Sequence, residues 1–477
     1  MANENLNEIV NLIEIKDFDS AEEKLKSIIF FESKNTKALE LLAYVYNEKG
    51  NYDFALNLLE RIAIMEPENS AVLNLAGVIL GKQNKHSEAE KYFRRALKLA
   101  PNSKDIIKNL ALALQSQNKI DEAVEKYKQL LTEFPSDPIV YNDFGYLLQN
   151  ICLYDDAKEC FRRAILLKED FALAHWNLAT ILLREKDLEN GFEEYEWGFL
   201  AKQRTDRRFS KPKWDGKYIE KNKKLLVSHE QGFGDSIFFS RYLQYLIEKE
   251  INFILEVPQE LYFLYKNIDG IDDVIVMDKS GKEPLIDYDY YIPIGSLPYV
   301  LKKFSTQDIP QPLKFNFQQD DNKEEYKAGI CWKGSEKHRA DLYRSISIEK
   351  FEDFFNQKTI QFVALSKNIS QEEGIYLFKH RVNTDIQLSK DFLSTAYILQ
   401  ELDLIITVDT AVAHLAASMG KAVWLLLQYN SDWRWFNDER ITPWYNNCKI
   451  YKQKLFEPWE QVLDRVYNDF KKIFGIV

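Results

Sequence analysis

The sequence predicts a helical repeat array followed by an α/β region that contains two parallel sheets. Three observations support this fold class. Small residues, large residues and prolines recur every 34 residues over about residues 2–203. From Lys224 onward, short runs of β-branched and aromatic residues alternate with helical patterns, which is typical of βα units. Two of these units have a short glycine-rich or polar turn between the strand and the helix.

The 34-residue period is clearest in the small residues of the N-terminal part. They occur in pairs, where two antiparallel helices would cross closely, and a proline follows the second helix. One periodic set is Ala21, Ala55, Ala89, Ala123, Ala157 and Gly191, and the prolines are Pro67, Pro101 and Pro135. This pattern resembles the tetratricopeptide repeat. The resemblance predicts a first domain at residues 1–203, an α-solenoid of about six repeats.

Polar residues at one position of the repeats suggest a binding groove. Asn109, Asp143 and Asn177 stand at the sixth position of three successive repeats. Side chains stacked with this period could hydrogen-bond the backbone of a peptide, in a way that resembles the amide ladder of the protein O-GlcNAc transferases. The alternative is that Asn is common at this position in tetratricopeptide repeats. We predict that these residues contact a protein or peptide partner, and that the repeats can also support a homo-oligomer.

The composition argues against several classes of protein. Lys and Arg total 63 against 74 Asp and Glu, for a net charge of −11, so a nucleic acid partner is not expected. A window of eighteen apolar residues and a secretory signal are both absent, which predicts a cytoplasmic protein without a transmembrane segment. The 4 cysteines include no CxxC pair and favour reduced thiols over a zinc site.

The C-terminal part contains two groups of predicted strands, separated by a polar segment at residues 307–327. The first group is 225–228, 253–257, 274–277 and 290–294, and the second is 329–332, 362–366, 404–408 and 423–427. Alternating βα units predict parallel sheets, with ligands bound beyond the carboxyl ends of the strands.

Two strand–turn–helix segments are suited to anions. Residues 225–243 contain a strand, a glycine-rich turn, Asp235 and a helix. Residues 404–427 contain a buried strand, a turn at Asp409 and Thr410, a short helix that carries His414, and a second strand. The first N–H groups of a helix and its dipole favour a phosphate at the turn. Two such turns predict paired nucleotide-type lobes.

Three motifs in this part resemble one enzyme family. They are GFGD at 232–235, CWKGSEKHRADLYRS at 331–345 and VDTAVAHLAASMG at 408–420. Together they resemble the heptosyltransferase-type glycosyltransferases (family nine), in the bacterial branch fused to tetratricopeptide repeats, over about residues 205–455. The resemblance implies a GT-B fold of two Rossmann-like lobes. The linker and acceptor-side lobe would be residues 204–315, and the nucleotide-sugar lobe with a C-terminal helix would be residues 316–477.

The resemblance assigns roles in the first lobe. It makes Asp235 the general base that deprotonates the acceptor hydroxyl. Gly232 and Gly234 would let the backbone and the substrate approach this carboxylate. The structural alternative for Asp235 is a helix N-cap, which aspartate performs well.

In the second lobe, the resemblance places the donor site at Asp409, Thr410, Ala411, Val412 and His414. Backbone N–H groups after Thr410 would hold the diphosphate, Asp409 would hold sugar hydroxyls, and His414 would donate to a phosphate oxygen of the leaving nucleotide. The family usually has glycine where this chain has Ala411. The alternative for His414 is a buried structural histidine.

A basic loop follows the predicted strand at 329–332. It contains Lys333, Lys337, Arg339 and Arg344. We select Lys333 and Arg344 as the residues that neutralise the diphosphate in place of a metal; the alternative is a solvated loop. Asp287, Tyr288 and Asp289 are similar to a metal-binding DxD motif, but they adjoin a strand far from the donor turn, so we predict neither a metal nor another cofactor.

The residues and the resemblance together predict a metal-independent glycosyltransferase, and the resemblance implies that the transfer inverts the anomeric centre. The enzyme would move a sugar from a nucleotide-diphosphate sugar to a hydroxyl of a protein or peptide held by the repeats. One alternative is an enzyme that acts on a lipopolysaccharide or other glycan. The other is a scaffold that binds a nucleotide sugar without turnover.

Overall fold

A computed structural model describes residues 2–266, 268–271, 273–313, 325–334, 344–437 and 440–475. The chain forms two compact units, one of residues 1–147 with 163–169 and the other of residues 148–162 with 170–477. The domain boundaries predicted after residues 203 and 315 stay predictions. Among the described residues, no helix combines the length and the apolar character that crossing a bilayer would require.

The N-terminal part is built from successive antiparallel helices. Their bounds are α1 Ala2–Glu14, α2 Phe18–Phe31, α3 Thr36–Glu48, α4 Tyr52–Met65, α5 Ser70–Lys82, α6 His86–Leu99, α7 Lys104–Ser116, α8 Ile120–Glu133, α9 Pro138–Asn150, α10 Tyr154–Leu167, α11 Ala172–Arg184 and α12 Leu188–Tyr195. The first eight lie in the first unit, and α11 and α12 lie in the second.

The turn inside each helical pair repeats its backbone geometry. A residue with a left-handed backbone occurs every 34 residues, at Gly50, Asn84, Asn118, Cys152 and Lys186, with φ between 60° and 77°. Glycine and asparagine tolerate this conformation at the end of a helix better than most residues. The turn period therefore matches the period of the small residues.

The small residues lie where paired helices cross. A Cβ atom on Gly77 of α5 would lie 2.5 Å from the Phe93 ring of α6, so only glycine fits this crossing without a shift of the ring. Ala43, Ala55, Ala89 and Ala111 are fully or almost fully buried in the same unit. The close helix crossing expected from the sequence is confirmed here.

The second unit contains two parallel sheets. Their strands are β1 Leu225–Ser228, β2 Phe253–Val257, β3 Asp273–Val276, β4 Tyr290–Pro293, β5 Tyr326–Cys331, β6 Ile360–Ala364, β7 Leu404–Val408, β8 Val423–Leu427 and β9 Cys448–Lys452. The first sheet has the order β3-β2-β1-β4, and the second has the order β6-β5-β7-β8-β9. Every strand pair in both sheets is parallel.

Helices connect the strands and cover the sheets. They are α13 Phe233–Phe239, α14 Leu243–Glu248, α15 Gln259–Lys266, α16 Leu297–Val300, α17 Glu352–Phe355, α18 Gln371–Lys379, α19 Phe392–Gln400, α20 Ala411–Ser418 and α21 Trp459–Phe474. All residues of β1, β2, β7 and β8 are buried, as expected for parallel strands covered on both faces.

The eight strands predicted from the sequence are each present, with ends that differ by up to three residues. The prediction missed β9, which extends the second sheet beside β8. Its sequence, CKIYK, carries two lysines and follows a segment rich in tryptophan and asparagine. Such a strand forms because the edge of β8 offers backbone partners, and its own composition signals it weakly.

Candidate functional site

The two turns predicted from the sequence lie against each other. The first turn follows β1 and leads into α13, for which Gly232 is the N-cap. The second follows β7 and leads into α20, for which Thr410 is the N-cap. A Cβ atom on Gly234 would lie 3.2 Å from His414 Cδ2 and 3.5 Å from Ala411 Cα. The glycine at position 234 therefore allows the turn of the first sheet to approach the helix start of the second sheet.

Asp235 is held by one contact on each carboxylate oxygen. Its Oδ2 accepts a hydrogen bond of 2.9 Å from the Gly232 N–H, which is an N-terminal capping contact. Its Oδ1 accepts from Nη2 of Arg434, a residue that follows β8. An ionised carboxylate offers about four acceptor positions, so the side chain keeps acceptor capacity toward a ligand. The side chain is 23% exposed.

Arg434 joins two carboxylates. Its Nη1 donates to Asp432 Oδ1 at 2.7 Å, while its Nη2 donates to Asp235. The guanidinium is buried, and it lies 4.8 Å from the centre of the Trp433 ring. Burial lowers the pKa of Arg434, but the charges of Asp432 and Asp235 outweigh it and hold the pKa above its usual range. Arg434 is thus a permanent cation beside the candidate base.

Asp409 follows β7 directly and lies close to both a cation and an imidazole. Its backbone carbonyl accepts a hydrogen bond of 2.8 Å from Arg344 Nη1. Its carboxylate Oδ1 lies 3.9 Å from His414 Nε2, which is too long for a hydrogen bond. Burial, and next the negative charge of Asp432, raise the pKa of Asp409 to about 6, although Arg344 opposes this shift.

His414 is an almost fully buried member of an aromatic cluster. Its ring stacks on Trp435 at 5.0 Å with an angle of 16° between the planes. Its Nδ1 lies 3.0 Å from the Tyr445 hydroxyl. Burial, followed by the charges of Arg434 and Arg241, lowers the pKa of His414 well below its usual range. The imidazole is therefore neutral at pH 7 and has a single N–H to donate.

The start of α20 provides backbone donors. The Ala413 and His414 N–H groups donate to the Thr410 carbonyl at 3.0 and 3.4 Å. The N–H groups of Ala411 and Val412 come before these first bonds, and such groups have no partner within their own helix. They are the donors that the sequence predicted for a phosphate, and Gly234 lies beside them.

The two basic residues selected from the loop, Lys333 and Arg344, have different partners. Lys333 Nζ pairs with Glu373 Oε2 at 2.6 Å, and the same carboxylate accepts from the Trp332 indole at 2.9 Å. The Lys333 charge is therefore largely neutralised by Glu373. Arg344, in contrast, contacts the donor turn through Asp409. Lys337 and Arg339 lie outside the described residues.

The polar residues predicted for the repeat groove are engaged with their neighbours. Asn109 Nδ2 donates to Asn74 Oδ1 at 3.0 Å, and Lys108 lies 3.4 Å from Asp143. These pairs link neighbouring repeats within the first unit. Asn177 belongs to α11 in the second unit, where its side chain is buried.

The DxD-like segment at residues 287–289 makes structural contacts with the residues that precede β1. Asp289 Oδ1 pairs with Lys223 Nζ at 2.9 Å, and its Oδ2 accepts from the Lys224 N–H at 2.9 Å. These contacts fix the start of β4 beside β1. In the part of the chain that the structure describes, no group of three or more His, Cys, Asp or Glu residues is arranged to hold a metal.

Sequence reasoning missed the residues that surround Asp235 and His414. Arg434, Asp432 and Tyr445 lie in the SDWRW segment at residues 431–435 and the PWY segment at residues 443–445. A signal was present, because an arginine between two tryptophans is buried at a cost unless a carboxylate pairs with it. The sequence could not identify Asp235, which is 199 residues away, as that partner.

Comparison with known proteins identifies the N-terminal part. Two tetratricopeptide repeat family models match, one over residues 40–104 and 153–196 and the other over residues 82–142. Among curated proteins, Protein FlbA of Caulobacter vibrioides is 26% identical over 331 residues, which is 62% of this chain. The chain spans 55% of the length of that relative.

Some solved structures are similar to parts of this chain at low identity and low TM-score. YrrB, described as a TPR protein with an unusual peptide-binding site, is 20% identical with a TM-score of 0.31, over 36% of this chain and 88% of that chain. A tetratricopeptide repeat protein from Parabacteroides merdae is 21% identical with a TM-score of 0.37, over 40% of this chain and 75% of that chain. The N-terminal region of this chain consists of tetratricopeptide repeats, and a parallel-sheet α/β region follows it.

Proposed function

We propose that the chain is a glycosyltransferase of the GT-B type, which transfers a sugar from a nucleotide-diphosphate sugar to a hydroxyl of a protein or peptide. The observation that carries the proposal is the contact between the two turns. Asp235 follows β1 and the start of α20 follows β7, so a candidate base lies beside a candidate phosphate site. In parallel α/β sheets, ligands bind at this carboxyl edge of the strands.

On the acceptor side, Asp235 would take the proton of the attacking hydroxyl. The oxygen of that hydroxyl forms a bond to the anomeric carbon as the bond from this carbon to the phosphate oxygen breaks. The electron pair leaves with the nucleoside diphosphate, and attack from the opposite face inverts the anomeric centre. The Gly232 N–H and Arg434 hold the carboxylate in one orientation, which favours a defined geometry of attack.

On the donor side, the diphosphate would meet the N–H groups of Ala411 and Val412 and the positive end of the α20 dipole. Arg344 adds a cation beside Asp409. His414 is neutral and buried, so it would act through its one N–H and by orienting the turn. Asp409, with a raised pKa, would hold sugar hydroxyls. These groups would stabilise the leaving charge without a metal.

The repeats would bind the acceptor. Tetratricopeptide arrays bind extended peptides, and Asn109 and Asp143 line up with neighbouring polar residues in the first unit. The Asn109 and Asp143 side chains would exchange their contacts with Asn74 and Lys108 for contacts with a peptide backbone. The acceptor proposed here is therefore a polypeptide.

Two observations favour a second candidate, a scaffold that binds a nucleotide sugar without turnover. His414 packs as a buried structural histidine, and Lys333 is paired with Glu373. A scaffold needs neither residue to reach a ligand. Turnover distinguishes the two candidates, because only the enzyme consumes the nucleotide sugar.

The first experiment is thermal unfolding with ADP, GDP, UDP and CMP, each in large excess. A nucleotide at a hundred times its dissociation constant stabilises the protein by about 2.7 kcal/mol. The nucleotide that binds identifies the donor to test for turnover, with and without EDTA. Asp235→Asn should abolish turnover and keep nucleotide binding, while Asp464→Asn, an exposed change on α21, should keep both. Turnover by Asp235→Asn at the wild-type rate would refute the proposed mechanism.

A further inference from the structure

The last helical pair, α11 and α12, contacts the turn that carries Asp235. The Tyr195 hydroxyl, at the end of α12, donates to Gln231 Oε1 at 3.2 Å. Gln231 has a φ of 61°, a left-handed conformation that is uncommon for a residue other than glycine, asparagine or aspartate. It immediately precedes Gly232, whose N–H binds Asp235. A backbone in this region persists when neighbouring contacts hold it.

A buried ion network secures the same turn. Arg204 donates to both oxygens of Glu230, at 2.9 and 2.6 Å, and to Glu196 Oε1 at 2.7 Å. Glu230 adjoins Gln231, and Glu196 adjoins Tyr195. Glu230 also accepts from the Gly295 N–H at 2.8 Å. The end of the last repeat is therefore fixed to the turn by two separate sets of contacts.

The same helical pair also contacts the segment that carries Arg434. Arg184, the last residue of α11, donates to the Ser431 carbonyl. Phe192 of α12 packs edge-on against Trp433, with ring centres 6.0 Å apart. Tyr195 contacts Trp433 at the same distance. Ser431 and Trp433 lie on either side of Asp432, and Arg434 follows Trp433. The helical pair therefore also contacts the segment that carries the arginine of the Asp235–Arg434 ion pair.

We propose that the last repeat is a positioning element of the catalytic centre, in which Tyr195 and Arg184 set the Asp235–Arg434 pair from its two sides. This inference rests on the proposed transferase function. Asp235 and Arg434 belong to segments that are 199 residues apart in sequence and come from different sheets. The last repeat holds both segments, so it fixes the distance between them. Neither Tyr195 nor Arg184 is assigned a contact with a substrate.

The test compares variants that remove the contacts on each side of the ion pair. Tyr195→Phe removes the hydroxyl that holds Gln231 and keeps the ring against Trp433. Tyr245→Phe is the matched control, because it removes a hydroxyl bonded to the Asp308 carbonyl at 2.7 Å, in the same region but away from the turn. Arg184→Gln tests the other side, and the conservative Tyr195→Phe keeps the proposal testable if Arg184→Gln does not fold.

Two measurements are made on the full chain. The first is kcat and KM for the nucleotide sugar. Tyr195→Phe should lower kcat by about tenfold with KM within about twofold, because misplacement of the base affects the reaction more than donor binding. The second is hydrogen exchange of peptides that cover residues 229–236 and 429–436. In Tyr195→Phe, the loss of one hydrogen bond should speed hydrogen exchange at residues 229–236 by about fivefold. In Arg184→Gln, exchange at residues 429–436 should become faster by a similar factor.

The outcomes separate this inference from the proposed function. Tyr245→Phe should match the wild type in both measurements. A wild type without turnover on any nucleotide sugar refutes the transferase, and the exchange measurement then decides alone whether the repeat holds the two segments. Wild-type kcat in Tyr195→Phe, or unchanged exchange at both segments in both variants, would overturn the positioning role.

Discussion

Asp235 and Arg434 form an ion pair that joins the turn after β1 to the segment after β8. Arg434 also donates a hydrogen bond to Asp432, and Asp235 also accepts one from the Gly232 N–H. The candidate base is therefore part of a chain of charged contacts, and its position depends on both sheets. A base held in this way can be tested through its partner as well as by its own replacement.

Replacement of Arg434 by lysine should impair both activity and stability. A lysine places one compact charge where the guanidinium contacts two carboxylates, so it cannot hold Asp235 and Asp432 together. We expect kcat to fall about tenfold or more and the free energy of unfolding to fall by about 2–4 kcal/mol. Turnover and urea unfolding measure these effects. Arg465→Lys, at an ion pair with Glu457 in which the arginine side chain is 42% exposed, should change stability by less than about 1 kcal/mol.

Replacement of Asp409 by asparagine should stabilise the protein at neutral pH. The pKa of Asp409 is raised to about 6 in the folded state, whereas an unfolded chain has the ordinary value near 3.8. The folded state therefore binds the proton more tightly, and stability is lost as the pH rises between these two values. Asparagine resembles the protonated acid and avoids this loss. With 22% of the side chain exposed, we expect a gain of about 2 kcal/mol at pH 7.

The pH dependence distinguishes this effect from a simple change in packing. The gain from Asp409→Asn should shrink between pH 6 and pH 4, where Asp409 is protonated in the wild type as well. Urea unfolding at pH 7.5 and pH 4 measures it. Asp464→Asn should show no such trend. An equal gain at both pH values would show that the charge of Asp409 is not its cause.

Two glycines of the same helix should respond in opposite directions to alanine. Gly77→Ala places a methyl group 2.5 Å from the Phe93 ring and should lower the free energy of unfolding by about 1–2 kcal/mol. Gly81→Ala, also in α5, meets no atom within 4 Å and should raise it by about 0.5–1 kcal/mol through helix propensity. Unfolding of the repeats followed by circular dichroism measures both. Equal effects would contradict the close crossing at Gly77.

The proposed groove predicts a selective loss of acceptor binding. Asn109→Ala with Asp143→Ala should raise KM for a protein acceptor and leave KM for the nucleotide sugar unchanged, because neither residue belongs to the donor turn. Each lost polar contact is worth about 1 kcal/mol, so the double change should raise acceptor KM about tenfold or more. Steady-state kinetics with each substrate varied in turn measures this. Unchanged acceptor KM would remove the amide ladder from the proposal.

The sequence was sufficient for the repeats, the strands and the two turns, because each has a local signal. A period of 34 residues needs only small residues and turn residues at fixed spacing, and a buried parallel strand needs a short apolar run. The approach of Gly234 to Ala411 joins two different sheets, so it does not follow from the rule that ligands bind at the carboxyl edge of one parallel sheet. The weakly apolar β9 has no such local signal.

The partners of the candidate site could not be predicted in the same way. Which carboxylate pairs with Arg434, and whether Lys333 faces a ligand or Glu373, depends on the tertiary contacts of segments far apart in sequence. The burial of His414 among Trp435, Phe238 and Tyr445 depends on the same contacts. A histidine at this position indicated a chemical role at the turn, but the ionisation state of its imidazole is set first by burial and then by the charges of Arg434 and Arg241.

The contacts of the last repeat have a consequence for the order of folding during synthesis. The first unit is made of helices that pack on their neighbours in sequence, so it can fold while the chain is still being made. The α11–α12 pair is different, because Arg184 finds the Ser431 carbonyl 247 residues later. Until residues 431–433 have been synthesised, Phe192 and Tyr195 expose the aromatic surface that packs against Trp433 in the folded protein. We expect this helical pair to complete its packing only after residues 431–433 have been synthesised.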